Sequence, residues 1–396
     1  MQSRLQAVVN RTLITGAGEA PDGMILVRGG RIEYAGPRAA VPSEAALVDA
    51  GGRYISPGFI DRPVHGGGGS DFMDATGGDV DLVFRFHASR GTAALRPPTC
   101  AAPPDEILAA LDAVHRCRGA GERFGPAPGA HIEGPCLALS KKGRHPAGHV
   151  RNPDENEWRA ILERGPIASL TLAPELPGAR PLIEAPRRNG ANAGAGHSEA
   201  LFHEMQEAAD RGVNHVTHLY CAMTSAMSNR RRMTPRPRAA GIPEAVCLDG
   251  RLSSELICDG RHLSREMLLI ALRNKGCGKL AIVTDALRGA GMPDGEYAFG
   301  PRHGLTAVAR NGEARVPDGA ALASGVLAMN ERVRVFRDLA GCPLWQAVRM
   351  ASLTPAGILG LSGETGSLDR GKRADLLLLD GNLGVAATYV GGVRVC

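Results

Sequence analysis

Short apolar runs separated by paired glycines occur towards both ends of the 396-residue chain. Within residues 24–35, two apolar stretches flank a Gly-Gly pair, which is the pattern of two strands joined by a tight hairpin turn. Residues 374–395 repeat this pattern around a second Gly-Gly pair. We therefore predict one small β-sandwich domain that is built from residues 1–54 and 360–396 together.

The middle of the chain, residues 55–359, alternates short apolar runs with stretches of helical periodicity. Eight such runs separated by helices are typical of an α/β fold in which parallel strands close into a (β/α)8 TIM-like barrel. We predict that this barrel forms the second domain. The predicted strand ends are 60–61, 93–95, 131–133, 170–173, 193–197, 216–218, 255–258 and 282–285.

Four of these strand ends carry a carboxylate or an imidazole: Glu133, His197, His218 and Asp285. Because chemistry in such barrels lies at the carboxyl ends of the strands, we expect these four side chains to meet. One carboxylate and two imidazoles can hold a divalent metal, and a further aspartate beside the metal can move protons. The set predicts a metal-dependent hydrolase that uses an activated water.

Each of these residues also has a simpler interpretation when it is taken alone. Glu133 could cap a helix or form an ion pair, His197 could be a hydrogen-bonded histidine at a strand end, and Asp285 could be a helix N-cap. His215 and His218 lie on opposite faces of one strand, so only one of them can face the interior. The four residues together are far more specific than any one of them.

Composition and charge narrow the class of protein further. The chain is 43% hydrophobic and 22% charged, with a net charge of +5 and no long basic run interleaved with aromatics, which argues against a nucleic-acid partner. Its nine cysteines are scattered and include no CxxC pair. That usage favours a reducing compartment. With no apolar run long enough to span a bilayer, we predict a cytoplasmic protein without a membrane partner.

Longer motifs around these residues resemble those of a known family. The chain is similar, nearly from end to end, to the N-acetylglucosamine-6-phosphate deacetylases of the amidohydrolase superfamily. The motifs that carry the resemblance lie at 57–61, 66–69, 131–135, 141–145, 172–175, 196–200, 217–220, 259–262, 283–286, 293–297 and 351–356.

The resemblance implies a role for each residue of the site. It implies that Glu133, His197 and His218 bind one divalent metal per chain, with zinc favoured and iron or cobalt possible. It implies that Asp285 donates and accepts the proton while the N-acetyl group of a phosphosugar is hydrolysed to acetate and a free amine. A homodimer is implied as well. The residues implied in substrate binding are Arg144, His145, Cys221, Ala222, Arg230, His262, Leu322, Ala323 and Ser324.

Three departures from the family pattern leave alternatives open. Many relatives carry a His-x-His pair that binds a second metal, and Pro63 stands in place of its first histidine. The second histidine, His65, is present and could be a loop histidine, a substrate contact or a metal ligand. Cys221 replaces the usual asparagine. The arginines at 230–232 stand where the family's phosphate-binding arginine is expected. The alternatives are an amidohydrolase that deacylates another N-acyl sugar or small amide and, less favoured, a catalytically silent ligand-binding relative.

Overall fold

The computed structural model describes residues 5–119, 129–188, 190–228 and 239–396. The described strands and helices alternate through the middle of the chain, while strands dominate both of its ends. The strands are β1 (Gln6–Ile14), β2 (Glu19–Arg28), β3 (Arg31–Pro37), β4 (Ala46–Asp49), β5 (Tyr54–Pro57), β6 (Phe59–Asp61), β7 (Gly66–Gly67), β8 (Ser70–Asp71), β9 (Thr92–Leu95), β10 (Ala130–Glu133), β11 (Ile167–Leu172), β12 (Asn192–Ala195), β13 (Val213–Val216), β14 (Ser253–Ile257), β15 (Leu280–Val283), β16 (Gly295–Ala298), β17 (Thr306–Arg310), β18 (Glu313–Arg315), β19 (Leu376–Leu379), β20 (Val385–Val390) and β21 (Val393–Arg394). The helices are α1 (Gly77–Ser89), α2 (Pro104–Gly119), α3 (Glu155–Glu163), α4 (Ala179–Arg188), α5 (Phe202–Arg211), α6 (Ile242–Leu248), α7 (Arg265–Lys275), α8 (Met329–Ala340), α9 (Leu344–Ala351) and α10 (Leu353–Ile358).

A curled parallel sheet occupies the middle of the chain. Six strands pair in sequence order from β10 to β15, and every pair is parallel. Strands β6 and β9 form a second parallel pair. Isolated parallel bridges join Pro98 to His131 and Val64 to Ala286, beside the two outer strands of the larger sheet. The predicted α/β class is confirmed, and all the carboxyl ends of these strands lie at one edge.

Local signals in the sequence explain why the connecting segments are helical. In α3, the carboxylate of Asp154 accepts a hydrogen bond from the backbone N–H of Glu157 at 2.9 Å, a cap that contributes about 1 kcal/mol. Trp158 and Ile161, three residues apart, are the buried positions of that helix. None of the helices in the described ranges has the length and apolarity needed to cross a bilayer.

Both ends of the chain contribute to a single sheet. Its strand order is β21-β20-β19-β5-β1-β2-β3, and β4 pairs with β1. The two predicted hairpins are confirmed: β2 pairs with β3, and β20 pairs with β21, both antiparallel. Their turns need glycine, because Gly29, Gly30, Gly391 and Gly392 all have positive φ angles, between 54° and 76°.

A small antiparallel sheet of β16, β17 and β18 follows β15. It lies between the last strand of the parallel sheet and α8 in the chain. The backbone that leaves β16 and the segment that follows β18 both contribute residues to the wall of the cavity at the carboxyl edge, namely Phe299, Ala321, Leu322 and Ser324.

Candidate active site

The four predicted residues lie at the carboxyl edge of the parallel sheet. Glu133 is the last residue of β10, whereas His197, His218 and Asp285 each stand two residues beyond the end of a strand. All four are buried. The ligand atoms of Glu133, His197 and His218 lie within 4.8 Å of one another. The structure thus brings together the residues that the sequence placed on separate strands.

The hydrogen bonds of the two histidines determine which ring nitrogens face the centre. Nδ1 of His197 lies 2.8 Å from the carbonyl oxygen of Lys141, and Nδ1 of His218 lies 3.2 Å from that of Cys221. A carbonyl only accepts, so each Nδ1 carries the hydrogen, and each neutral ring presents the lone pair of Nε2.

Those lone pairs converge on one carboxylate oxygen. Oε1 of Glu133 is 3.2 Å from Nε2 of His197 and 3.4 Å from Nε2 of His218, and the two Nε2 atoms are 3.0 Å apart. Three electron-rich atoms at such distances repel one another unless a cation lies between them. One glutamate and two histidines therefore fit a divalent metal, as their chemistry predicts.

The pKa values of His218 and Glu133 in the metal-free protein also indicate a site that attracts a cation. Burial opposes protonation of His218, but the carboxylate of Glu133 outweighs it and raises the pKa of that imidazole to about 9. Burial likewise disfavours the ionised form of Glu133, yet hydrogen bonds from the surrounding histidines hold its pKa well below the usual range. A bound metal would replace that proton.

His65 forms a second group that shares Glu133. Its Nε2 lies 3.3 Å from Oε2 of Glu133 and 3.5 Å from Oδ1 of Asp285, and the three ligand atoms lie within 4.8 Å of one another. Burial lowers the pKa of His65, but the two carboxylates outweigh it and raise that pKa to about 10. His65 thus stands in the connection between β6 and β7 but is buried beside both carboxylates, a position that keeps its interpretation as a metal ligand open.

The alternative interpretations of Asp285 and His215 can now be resolved. The described residues after Asp285 run on to β16 without a helix, so the N-cap interpretation is wrong. His215 lies within β13, where its Nδ1 is 2.9 Å from Oγ of Ser253 and its Nε2 is 3.3 Å from a carboxylate oxygen of Glu255. Of the two neighbouring histidines, His218 is the one that reaches the site.

A cavity of about 410 Å³ opens beside these groups. Arg144, His145, Cys221, Ala222, His262, Leu322 and Ser324 of the predicted substrate set line it. Ala323 is fully buried and is not among the lining residues. Arg230 lies outside the described residues.

Two further histidines present defined nitrogen atoms in this cavity. The backbone N–H of Ala101 donates to Nδ1 of His145 at 3.0 Å, so the hydrogen of the neutral ring is on Nε2. Burial and the neighbouring His197 hold the pKa of His145 well below its usual value, which keeps the ring neutral. Nδ1 of His262 lies 2.7 Å from Oδ2 of Asp259, which fixes the orientation of that imidazole.

The model of the amidohydrolase family matches residues 54–395. The chain belongs to the amidohydrolase family. The predictions of this family and of a hydrolytic enzyme are confirmed.

Named relatives of this amidohydrolase deacetylate amino-sugar phosphates. It is 32% identical to human N-acetylglucosamine-6-phosphate deacetylase, with 93% of this chain and 90% of the relative covered. It is 31% identical to N-acetylgalactosamine-6-phosphate deacetylase of Escherichia coli O157:H7, with 96% and 97% covered. A mutant of the N-acetyl-D-glucosamine-6-phosphate deacetylase from Mycobacterium smegmatis, solved with N-acetyl-D-glucosamine-6-phosphate, superposes with a TM-score of 0.88 at 30% identity, covering 99% of both chains.

The backbone of the amidohydrolase site is strained at its functional residues. His197, His218 and Asp285 have φ angles of 48°, 31° and 45°, in the left-handed region that residues other than glycine rarely adopt. Such a conformation costs on the order of 1 kcal/mol or more and persists only where surrounding contacts enforce it.

One of the contacts that hold this strained backbone involves an aspartate to which the sequence assigned no functional role. The buried carboxylate of Asp61, at the end of β6, accepts hydrogen bonds from the backbone N–H of Thr284 at 2.9 Å and from its hydroxyl at 2.6 Å. On the other side, the N–H of Gly325 donates to the carbonyl of Asp285 at 2.8 Å. The sequence marks Asp61 as a predicted strand end and as part of the motif at 57–61, but its pairing with a residue 223 positions away gives no local signal.

Proposed function

We propose that this amidohydrolase removes the N-acetyl group of N-acetylglucosamine 6-phosphate, releasing acetate and glucosamine 6-phosphate. The observation that carries the proposal is the convergence of two histidine lone pairs on Oε1 of Glu133, with Asp285 beside the same glutamate. The relatives whose names state this activity support the choice of substrate.

In the proposed mechanism, Glu133, His197 and His218 would hold one divalent ion, with zinc the favoured metal. When bound, such an ion supplies an activated water at neutral pH and polarises the amide carbonyl. Asp285 accepts the proton of the attacking water and then donates it to the nitrogen of the leaving amine. The Nε2–H of His145 is a donor for the negative charge that develops on the carbonyl oxygen.

The rest of the proposed substrate set binds the sugar and its phosphate. His262, held by Asp259, and the backbone at Cys221 and Ala222 supply donors for the phosphate. Arg230 would add a positive charge there. Arg144, Leu322 and Ser324 shape the remaining walls, whereas Ala323, buried between the last two in the chain, does not line the cavity. Because Cys221 lacks the amide of asparagine, backbone N–H groups have the larger part in this version of the site.

We also propose how the chain is divided into domains. The bridges from Pro98 to His131 and from Val64 to Ala286 support closure of β6, β9 and β10 to β15 into a (β/α)8 barrel over residues 55–359. The shared terminal sheet supports a β-sandwich domain of residues 1–54 and 360–396. We also propose a homodimer, and a cytoplasmic location that agrees with nine free cysteines.

A second candidate substrate is N-acetylgalactosamine 6-phosphate, because a relative of that name is 31% identical over 96% of this chain. Another N-acyl sugar or small amide is the broader alternative. A silent ligand-binding protein is disfavoured, since such a protein would not need Glu133, His197, His218 and Asp285 together.

One assay separates these candidates. Acetate release is measured from N-acetylglucosamine 6-phosphate, its galacto epimer and unphosphorylated N-acetylglucosamine, with metal-loaded and chelated protein side by side. The proposed function predicts the fastest release from N-acetylglucosamine 6-phosphate, dependent on metal. No release from any of the three would contradict it, and a faster rate on the galacto epimer would transfer the function to that sugar.

A further inference from the structure

Phe299 lies at the metal end of the cavity, although no motif in the sequence pointed to it. Its ring centroid is 4.8 Å from that of His65 and 5.9 Å from that of His145. These two histidines flank the centre, since His65 is beside Glu133 and the ring of His145 lies 4.7 Å from that of His197. Among the described residues that line the cavity, Phe299 is the only Phe, Tyr or Trp.

The backbone on both sides of Phe299 is held firmly. The buried guanidinium of Arg288 donates to the carbonyl of Ala298 at 3.2 Å and to that of Gly300 at 2.8 Å. The same guanidinium forms a two-pronged pair with Asp74, at 2.6 and 2.9 Å. An arginine that binds both neighbours of a residue and is itself fixed by a carboxylate leaves that residue little freedom to move.

Two more features restrict the backbone next to Phe299. The N–H of Gly300 donates to Oδ2 of the buried Asp71 at 3.2 Å. Gly300 has a φ of 71°, and a Cβ atom there would lie 2.7 Å from Sγ of Cys100, so the chain passes this point with no room for a side chain. Phe299 is only 3% exposed. Phe299, which we call the aromatic wall of the cavity, is therefore held in a rigid position.

The chemistry of an amide indicates what this wall contacts. The carbonyl carbon has three substituents: its oxygen, the nitrogen and the acyl chain. In the proposed function, the oxygen belongs beside the Nε2–H of His145 and the ion that Glu133, His197 and His218 would hold, and the nitrogen, which carries the sugar, belongs near Asp285. The acyl chain must take the remaining direction, and an apolar ring beside the two flanking histidines is the surface that suits a methyl group.

Resting on that function, we propose that Phe299 closes the acyl subsite and is the specificity-determining residue that restricts this enzyme to N-acetyl groups. The clamp formed by Arg288, Asp74 and Asp71 keeps the ring from retreating before a longer chain. Hydrophobic pockets discriminate by about 10- to 200-fold for one methylene when they cannot expand.

The test compares N-acetyl, N-propanoyl and N-butanoyl glucosamine 6-phosphate by the rate at which free amine appears. The wild-type enzyme is expected to lose at least ~10-fold in kcat/KM from acetyl to propanoyl. In Phe299→Ala, the ratio of butanoyl to acetyl kcat/KM is expected to rise at least ~10-fold over the wild-type ratio. Ile257→Ala is the matched control, because Ile257 lines the same cavity from the end of β14. Its acyl ratio should stay at the wild-type value.

Metal content and thermal unfolding of each variant show whether the centre and the fold are intact. Should Phe299→Ala fail to fold, Phe299→Leu makes a smaller space and should raise the ratio in the same direction. An unchanged ratio in a folded, metal-loaded Phe299 variant, or equal rates on all three amides in the wild type, would overturn the inference and leave the deacetylase function standing. Failure of the wild type on every amide would instead contradict the proposed function.

Discussion

The metal end of the cavity and its predicted substrate loops are built in different ways. At the metal end, Glu133 ends a strand of the parallel sheet, His197 and His218 stand two residues beyond two other strands, and each imidazole is oriented by a backbone carbonyl. In the substrate loops, His262, Cys221 and Ala222 stand outside the strands and helices. The difference shows how such an enzyme can keep one reaction while its substrate changes: strand ends fix the chemistry, and loops choose the molecule.

The strongest test of the metal end is Asp285→Asn. We expect turnover to fall at least ~100-fold, the scale of lost general acid–base catalysis, because an amide cannot accept the water's proton. Elemental analysis should find most of the metal retained. Turnover close to that of the wild type would move proton transfer to another group and remove Asp285 from the mechanism.

For the substrate loops, removal of the phosphate from the substrate should cost about 2 kcal/mol, as for one or two charge-assisted hydrogen bonds. That energy corresponds to roughly a 30-fold drop in kcat/KM. Replacing Arg230, Arg231 and Arg232 together by alanine should shrink this preference and leave hydrolysis of the unphosphorylated sugar unchanged. Equal rates on the two sugars in the wild type would eliminate the phosphosugar as the preferred substrate.

Acidification tests the metal end through competition between protons and metal. In the metal-free protein the raised pKa of His218, about 9, adds stability that is fully present below pH 6.5 and is lost as the pH rises through 9. Metal binding must expel that proton, so the apparent metal affinity should fall about tenfold per pH unit below 9. Metal titrations from pH 9 to 6 measure it. An affinity that is independent of pH would mean that His218 is not a ligand.

The smallest expected effect concerns His65→Ala. We predict one tightly held metal per chain, because Pro63 offers no ligand atom, and the variant should keep that one equivalent. Wild-type protein prepared under the same conditions is the control, with metal measured per chain. Two equivalents in the wild type, both lost in His65→Ala, would show that the two groups sharing Glu133 form one binuclear centre.

The sequence anticipated the metal ligands better than the residues that surround them, for physical reasons. Strand periodicity placed Glu133, His197 and His218 at one edge, because parallel strands bring their carboxyl ends together whatever their separation in the chain. Phe299 could not be found in this way, and the predicted strand end at 60–61 gave no sign of the residue that Asp61 contacts. Their positions depend on contacts across more than 200 residues, such as the bond from Gly300 to Asp71, and on loop paths that carry no periodic signal.

The left-handed backbone at His197, His218 and Asp285 has a consequence for directed evolution. A glycine at any of these positions would relieve strain on the order of 1 kcal/mol, and it would remove a ligand or the proton carrier at the same time. That relief is set against other losses: at His218, for instance, the same change removes the attraction to Glu133 that raises the pKa of this imidazole and adds stability in the metal-free protein. Substitutions meant to raise thermal stability therefore belong in the terminal sheet and the outer helices, away from these three residues.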